Sequence, residues 1–286
     1  MGKIFIGVAG IPLCIGKKDY FKALKVIKEL NLDALEVEFV YGIDMSSSLA
    51  KSIGNFAKKL GIRLSVHAPY YINLCSERKK VISDSKRRIV ETLIKAHELK
   101  ANIVVIHAAY YGTYGPSRCY ELVKSSLKEI EEEIKKLGIK DVKIGIETLA
   151  KKTQFGTLEE IVKLCKEINI AVPCIDWAHV YIRNFGKIDY GKILDIIERE
   201  LKLKELHTHF TCIKRDERGA LIDEHDILDK DTPPFKPLIE ELLKRELEVT
   251  IICESPLLEK DALKMKKIVK ELEDSIFKIN DSFKKL

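Results

Sequence analysis

Short apolar runs rich in β-branched residues alternate along the whole chain with longer segments whose apolar residues recur every three or four positions. The short runs predict β-strands and the longer segments predict amphipathic helices. Eight strands are predicted, at 3–9, 34–39, 62–67, 102–107, 142–147, 171–176, 203–209 and 248–254. A predicted helix follows each of them, near 18–30, 46–60, 77–99, 117–138, 157–168, 188–201, 234–246 and 259–284.

Regular alternation of strand and helix predicts an α/β protein with a parallel sheet, and eight such units close most naturally into a (β/α)8 TIM barrel. A doubly wound open sheet is the alternative. It is less favoured because the chain contains no GxGxxG or GxxxxGK[ST] stretch of the kind that marks a nucleotide-binding half. No linker or shift in composition divides the chain, so residues 1–286 are predicted to form a single domain.

Composition adds modest constraints to this picture. With 286 residues, 46% of them hydrophobic, the chain can bury a large core. We expect a cytoplasmic monomer without membrane contact, because no apolar run approaches the roughly 20 residues of a membrane span. The seven cysteines form no CxxC pair and are expected to be reduced thiols. A formal net charge of +6 mildly favours a polyanionic partner.

Residues that can bind metals stand where the predicted strands end, which is the face of a TIM barrel that carries its chemistry. Strands three to eight end in His67, His107, Glu147, Asp176 with nearby His179, His207 and Glu254. The long loop 210–233 adds Asp223 and His225, which point the same way if the loop is extended there. A lone histidine or carboxylate at a strand end is usually structural, and Asp176 alone would be read as a helix cap. Five of the seven histidines at one rim are harder to explain in that way.

Four carboxylates and five imidazoles converging on one rim predict bound cations, because dry carboxylates must be paired or metal-bound. Nine donors exceed the four or five that one zinc ion takes, so two or three ions are expected. His209 shares strand parity with His207 and is expected to support the site or contact substrate. Glu36 is expected either to orient a liganded imidazole through its other N–H or to be exposed.

Seven stretches make the sequence resemble endonuclease IV, the family of zinc-dependent apurinic/apyrimidinic (AP) endonucleases in the xylose-isomerase-like barrel superfamily. They are "SVHAPYYINL" (65–74), "VVIHAAYYG" (104–112), "IGIETLAKKTQFGTLEE" (144–160), "VPCIDWAH" (172–179), "LHTHF" (206–210), "IDEH" (222–225) and "CESP" (253–256). They run from strand three to strand eight. All nine ligand positions of the family pattern carry the expected residue type.

The resemblance implies three zinc ions, with manganese as an alternative at one or more sites. His67 and His107 would bind the first ion, and Glu147 would bridge it to the second. The second ion would be completed by Asp176, His207 and Glu254, and the third would be held by His179, Asp223 and His225. Asp176 and His179, only three positions apart, would therefore serve different ions.

The implied activity is hydrolysis of double-stranded DNA on the 5′ side of an abasic site, with Glu147 and Glu254 as catalytic groups. Tyr70 lies where the family places an aromatic residue that enters the DNA, and Tyr110 and Tyr111 are further candidates for DNA contact. The loop "VYGIDMSSS" (40–48) departs from the family, because it contains none of the arginine that well-known members insert into DNA there.

A sugar isomerase or epimerase of the same superfamily is the main alternative. Its single divalent ion would need only Glu147, Asp176, His207 and Glu254, which would leave the other five donors without a role. Another metal-dependent phosphoesterase and a non-catalytic module that binds damaged DNA are the remaining alternatives.

Overall fold

Eight parallel strands close into a barrel surrounded by helices in the computed structural model, which describes residues 2–283. The strands hydrogen-bond in the order β1-β12-β9-β8-β6-β4-β3-β2. Over those residues the strands are β1 (Ile4–Ala9), β2 (Ala34–Glu38), β3 (Arg63–His67), β4 (Ile103–Ile106), β5 (Ala109–Tyr110), β6 (Lys143–Glu147), β7 (Gln154–Phe155), β8 (Ala171–Asp176), β9 (Glu205–Phe210), β10 (Cys212–Arg215), β11 (Leu221–Asp226) and β12 (Glu248–Cys253). The predicted TIM barrel is confirmed.

The helices pack around the outside of the barrel. They are α1 (Tyr20–Glu29), α2 (Ser47–Leu60), α3 (Lys79–Leu99), α4 (Gly115–Lys136), α5 (Leu158–Glu167), α6 (Trp177–Arg183), α7 (Tyr190–Leu201), α8 (Phe235–Leu243) and α9 (Glu259–Phe283). Residue 284, the last of the predicted final helix, lies outside the described part of the chain. No helix within that part is long and apolar enough to cross a bilayer.

Local chemistry explains how a typical helix is placed. The Ser46 hydroxyl accepts a hydrogen bond from Leu49 N at the start of α2, and Gly61 ends the helix in a left-handed conformation. The buried face of α2 includes Gly54, where an added Cβ would lie 2.4 Å from the carbonyl oxygen of Leu99. Glycine at this position therefore lets α2 pack closely against the end of α3.

Three features at the carboxyl end of the barrel depart from the predicted strand–helix alternation. The loop predicted at 210–233 contains the antiparallel hairpin β10–β11, and β5 pairs with β7 in a second small sheet. The short helix α6 begins directly after β8, before the helix predicted at 188–201. All three lie beside the predicted metal ligands, so they shape the entrance to the site.

Candidate metal centre at the barrel rim

The buried carboxylate of Glu147, at the end of β6, lies at the centre of the cluster. Its Oε2 atom is 3.3 Å from His67 Nε2 and 3.0 Å from His107 Nε2. The other carboxylate oxygen, Oε1, is 3.2 Å from His179 Nδ1 and 3.6 Å from His209 Nδ1. One carboxylate thus has two imidazoles on each oxygen, which is a geometry suited to a bridging ligand.

Hydrogen bonds to backbone carbonyls fix three of the imidazole rings. His67 Nδ1 donates to the carbonyl of Ala68, and His225 Nδ1 donates to that of Glu254, both at 2.8 Å. His179 Nδ1 lies at the same distance from the carbonyl of Thr148. A ring whose Nδ1 donates to a carbonyl turns its Nε2 towards the cluster, and Nε2 binds a metal once it has released its own proton. The backbone of the rim therefore selects the tautomer of these histidines.

Asp176 divides its two oxygens between a helix cap and the cluster. Oδ1 accepts a hydrogen bond of 2.7 Å from the backbone N–H of His179 and so caps α6. Oδ2 is buried, has no hydrogen-bond partner within the described residues and lies 3.5 Å from His179 Nδ1. Capping and metal binding, which were alternatives from the sequence, are compatible in this arrangement. His179 lies in the first turn of α6.

The two histidines of β9 lie at different depths. His207 is level with Cys174 of β8, whereas His209 is level with Asp176 at the rim. His209 Nδ1 is 3.4 Å from Glu254 Oε1, in addition to its approach to Glu147. His207 Nε2 instead lies 2.9 Å from Glu36 Oε2 in the deeper layer. The sequence motif predicts His207 as the ligand and His209 behind it, whereas in the structure His209 lies at the rim and His207 lies one layer deeper.

Glu36 is completely buried beneath these histidines, so it is not exposed. Besides its contact with His207, its Oε1 atom lies 2.8 Å from His209 Nε2, at an angle that leaves both atoms without a hydrogen bond. Glu36 therefore faces the nitrogen of His209 that points away from Glu147. This is the side from which a carboxylate can orient a metal-binding imidazole.

The hairpin β10–β11 completes the cluster on its outer side. Asp223 and His225 lie two residues apart on β11, so the predicted extended conformation is present. Asp223 Oδ1 is 3.2 Å from His179 Nε2, and His225 Nε2 is 3.9 Å from Glu254 Oε2. The structure therefore brings these two side chains to the same rim as the residues at the strand ends.

The pKa shifts in the cluster follow from burial and from the close pairing of carboxylates with imidazoles. Burial disfavours the charged form of Glu147, but the neighbouring His107 and His209 hold its pKa well below the usual value. Burial raises the pKa of Asp176 to about 6 and that of Glu38 to about 8. Burial would lower the pKa of His67, but the hydrogen bond to Glu147 and the charge of Glu38 raise it to about 10. Protons occupy positions that cations can fill.

The donor geometry fits divalent metal ions. Two donors bonded to one tetrahedral zinc ion at about 2.1 Å lie about 3.4 Å apart. Three of the separations above, from 3.3 to 3.6 Å, match this value better than the 2.7–3.2 Å of a good hydrogen bond. Groups whose donor atoms all lie within 4.8 Å include His67 with His107 and Glu147, Glu147 with Asp176 and His179, and Glu36 with His209 and Glu254.

Exposed aromatic side chains surround the cluster. Tyr70 is 49% exposed, and its ring centroid lies 5.5 Å from those of His67 and His107. Tyr110 is 44% exposed. Sequence analysis overlooked Tyr41, which is 85% exposed in the loop 40–48. The feature of the sequence that could have indicated Tyr41 is an aromatic residue within a short, mostly polar loop.

Tyr111 does not belong to this exposed set. It is 7% exposed, and its hydroxyl donates to the carboxylate of Glu160 at 2.9 Å. Arg183 Nη2 also donates to this hydroxyl, at 3.4 Å. The prediction that Tyr111 contacts DNA is therefore corrected. Its ring packs inside the protein and joins the loop after β4 to the start of α5.

Comparison with known sequences identifies the family of the chain. Residues 24–273 match the family model described as xylose isomerase-like TIM barrel. An uncharacterised protein of Methanocaldococcus jannaschii is 37% identical over 223 residues, which cover 76% of this chain and 79% of that protein. A probable endonuclease 4 of Thermoplasma volcanium is 22% identical over 169 residues, or 58% of this chain and 57% of the relative. The match thus spans little more than half of that endonuclease.

Solved structures with the same barrel include nucleases and sugar enzymes. Endonuclease IV from Thermus thermophilus superposes with a TM-score of 0.70 at 19% identity, covering 95% of this chain and 99% of that one. A D-tagatose 3-epimerase-like protein gives a TM-score of 0.70 at 21% identity, with coverage of 97% and 99%. At these identities the likeness concerns the fold alone, so the side chains of the rim must discriminate between the two activities.

Proposed function

Because the chain belongs to the xylose isomerase-like TIM-barrel family, we propose that it is a metal-dependent endonuclease that cuts double-stranded DNA on the 5′ side of abasic sites. The similarity to probable endonuclease 4 sequences supports a nuclease in general terms. The specificity for abasic sites is part of the proposal.

The observation that carries the proposal is the surplus of metal donors. An epimerase with one ion needs Glu147, Asp176, Glu254 and one histidine of β9. That set leaves His67 and His107 pointing at Glu147 Oε2, at 3.3 and 3.0 Å, without a function. It also leaves the 3.2 Å contact between His179 and Asp223 unexplained. Several ions give all of these donors a role.

We assign the donors to three ions by their proximity. His67, His107 and Glu147 would hold the first ion. His179 and Asp223, with His225 two residues further along β11, would hold the third. The second ion would be held by Glu147, Asp176, Glu254 and the Nδ1 atom of His209. This last assignment differs from that of the sequence motif, because His209 and not His207 faces Glu147 and Glu254. Nitrogen and oxygen donors of this kind suit zinc, with manganese as an alternative.

The residues of the chain contribute positioning and charge to the reaction. When bound, such ions lower the pKa of water and stabilise the charge that develops on a phosphodiester. Glu147 links two sides of the centre, because His107 approaches one of its carboxylate oxygens and His179 approaches the other. Glu254 lies at the solvent-facing edge and can accept a proton from the attacking water. Tyr70 lies beside the histidines and is exposed enough to enter the gap at an abasic site.

Incision of a defined substrate tests the proposal. The metal-loaded protein is incubated with a duplex that contains one tetrahydrofuran abasic analogue, with and without a chelator. We expect incision 5′ to the lesion that the chelator abolishes. Glu147→Gln, which removes the shared negative charge, is expected to reduce incision at least 100-fold while the fold is largely retained. Activity within threefold of the wild-type protein would contradict the role of Glu147.

The epimerase alternative is tested in parallel. Elemental analysis should find about three ions per chain for the nuclease and about one for a sugar enzyme. The same metal-loaded preparation is assayed for interconversion of ketoses. Epimerisation together with no incision would overturn the nuclease proposal.

A further inference from the structure

Phe185 combines high exposure with an unfavourable backbone conformation. It follows the C-cap residue Asn184 of α6, is 74% exposed and has φ +56°. Its backbone N–H donates to the carbonyl of Ile182 at 2.9 Å, which holds it in the left-handed turn that ends the helix. Glycine is the usual residue at such a position. A large, exposed aromatic residue there is the kind of local outlier that is typical of functional sites.

Two unpaired cations accompany this ring. Lys152 Nζ lies 4.5 Å from the centroid of Phe185, in a cation–π contact. Arg215, on the hairpin β10–β11, donates to the carbonyl of Gly219 at 2.8 Å. Among the side chains that the structure describes, no carboxylate forms a salt bridge with either cation. Both charges are therefore available to an anionic ligand.

Arg183 gives the loop that bears Lys152 a fixed position. Its Nη1 atom donates to the carbonyls of Leu149 and Lys151, at 2.8 and 3.0 Å, and to that of Gln154 at 3.3 Å. One guanidinium thus binds three carbonyls of the loop between β6 and α5. These hydrogen bonds fix the backbone of the loop from which Lys152 reaches Phe185.

A cavity of about 480 Å³ lies between these elements. Its walls include Lys152, Arg183, Phe185 and Arg215, and Leu221 supplies part of an apolar side. This volume lies in the range of small-molecule sites, about 300–1,000 Å³, and is large enough for a nucleotide. An aromatic face beside cations is the arrangement that binds unstacked bases and their phosphates.

The cavity adjoins the candidate metal centre. Lys151, next to Lys152, lies 3.9 Å from Asp223 Oδ2, and Asp223 contacts His179. Leu221, in the cavity wall, is two residues before Asp223 on β11. The cavity that contains Phe185 therefore lies on the side of the centre formed by Asp223 and His179, towards which a bound DNA strand can extend.

We propose that Phe185, Lys152 and Arg215 form a second DNA-binding subsite, in which Phe185 stacks on an unstacked base near the scissile phosphate while the two cations bind a neighbouring phosphate. The subsite rests on the proposed nuclease function and extends it to a specific part of the substrate. DNA is the occupant that the observations favour, because the subsite combines unpaired positive charge with an exposed aromatic face beside a phosphodiester-cleaving centre.

The test measures binding separately from incision. The probe is a duplex with one tetrahydrofuran abasic analogue, a non-cleavable methylphosphonate linkage on its 5′ side, and 2-aminopurine at successive positions around the lesion. Affinity is followed by fluorescence anisotropy and stacking by 2-aminopurine emission. Phe185→Ala and Phe185→Tyr are compared with Phe277→Ala, which removes another exposed phenylalanine, on α9 and 64% exposed.

We expect Phe185→Ala to raise the Kd at least fivefold and to change 2-aminopurine emission at one or two positions, since stacking on an aromatic side chain is worth about 1–3 kcal/mol per base. Phe185→Tyr should bind within twofold of the wild-type protein, as should Phe277→Ala. Metal content should be the same in all variants. Lys152→Gln should reduce the salt dependence of log Kd by about one unit of slope.

A Kd for Phe185→Ala within twofold of wild type, with unchanged 2-aminopurine emission, would overturn the subsite. Cleavable duplex, assayed alongside, separates this result from a failure of the nuclease proposal. Wild-type protein that incises DNA while Phe185→Ala binds normally refutes the subsite alone. Wild-type protein that binds DNA through Phe185 but does not incise it supports the subsite and refutes the nuclease.

Discussion

Replacing His209 by alanine should remove a metal ligand, whereas replacing His207 should leave the ligands in place. His209 Nδ1 lies 3.4 Å from Glu254 and 3.6 Å from Glu147, while His207 Nε2 lies 2.9 Å from the deeper Glu36. The two residues form a matched pair, because both are buried histidines on the same face of β9. The cost of an internal cavity is thus similar in both variants, and the difference between them isolates metal binding.

The expected magnitude follows from the position of each ring. Losing a group that directly orients a ligand typically lowers metal affinity about 10–100-fold. His207 is one contact further away, because it touches Glu36, which in turn faces His209. His207→Ala should therefore lower metal affinity about 10-fold at most. Losing the ligand itself should cost His209→Ala at least 100-fold, or about 2.7 kcal/mol. If the ion stabilises the fold by mass action, this loss lowers the metal-dependent part of Tm by roughly 4–5 °C for a chain of 286 residues.

Two measurements check this prediction. Elemental analysis after dialysis against buffered zinc should show about one ion fewer per chain in His209→Ala than in His207→Ala. Melting curves with and without a chelator should show a smaller metal-dependent rise in Tm for His209→Ala. Full metal content in His209→Ala together with a lost ion in His207→Ala would refute the reasoning and restore the order given by the sequence motif.

The other predictions concern DNA contact, packing and pH. Tyr70→Ala should weaken binding of an abasic duplex about tenfold more than binding of undamaged duplex, measured by anisotropy, and equal losses on both would remove its role at the lesion. Tyr111→Phe should leave DNA affinity unchanged. It should lower the free energy of unfolding by about 1 kcal/mol in denaturant titration, because the Tyr111 hydroxyl donates to Glu160 inside the protein. An altered Kd for DNA would mean that Tyr111 contacts DNA after all. Burial raises the pKa of Glu38 to about 8, so the folded, metal-free protein retains a proton that the unfolded chain releases near pH 4.5. The free energy of unfolding of the metal-free protein should therefore fall as the pH rises from about 4.5 to 8. Glu38→Gln should reduce this dependence on pH, measured by thermal melts at several pH values. An unchanged dependence would exclude Glu38 as its source.

Much of the barrel was predictable because its strands obey simple rules. Buried parallel strands are short apolar runs, and chemistry gathers at their carboxyl ends, so the sequence pointed to Glu147 and Asp176 as residues of the site. The short helix α6 was missed because seven residues are too few for a helical period to stand out. The position of Phe185 depends on how that helix ends, and its role was therefore not accessible from the pattern.

Depth within the barrel explains why sequence could not rank the two histidines of β9. Residues of equal parity on a strand face the same side, and a step of two residues moves a side chain about 6.6 Å along the strand, towards or away from the rim. Whether His207 or His209 reaches the rim thus depends on the register between β9 and its neighbours. Pairing of His209 with Asp176 puts it level with the ligands, and pairing of His207 with Cys174 puts it one layer below. Register between strands is a property of the closed barrel. A motif match alone can therefore assign the ligand to a histidine that lies one layer too deep. Comparison of His207→Ala with His209→Ala detects this error.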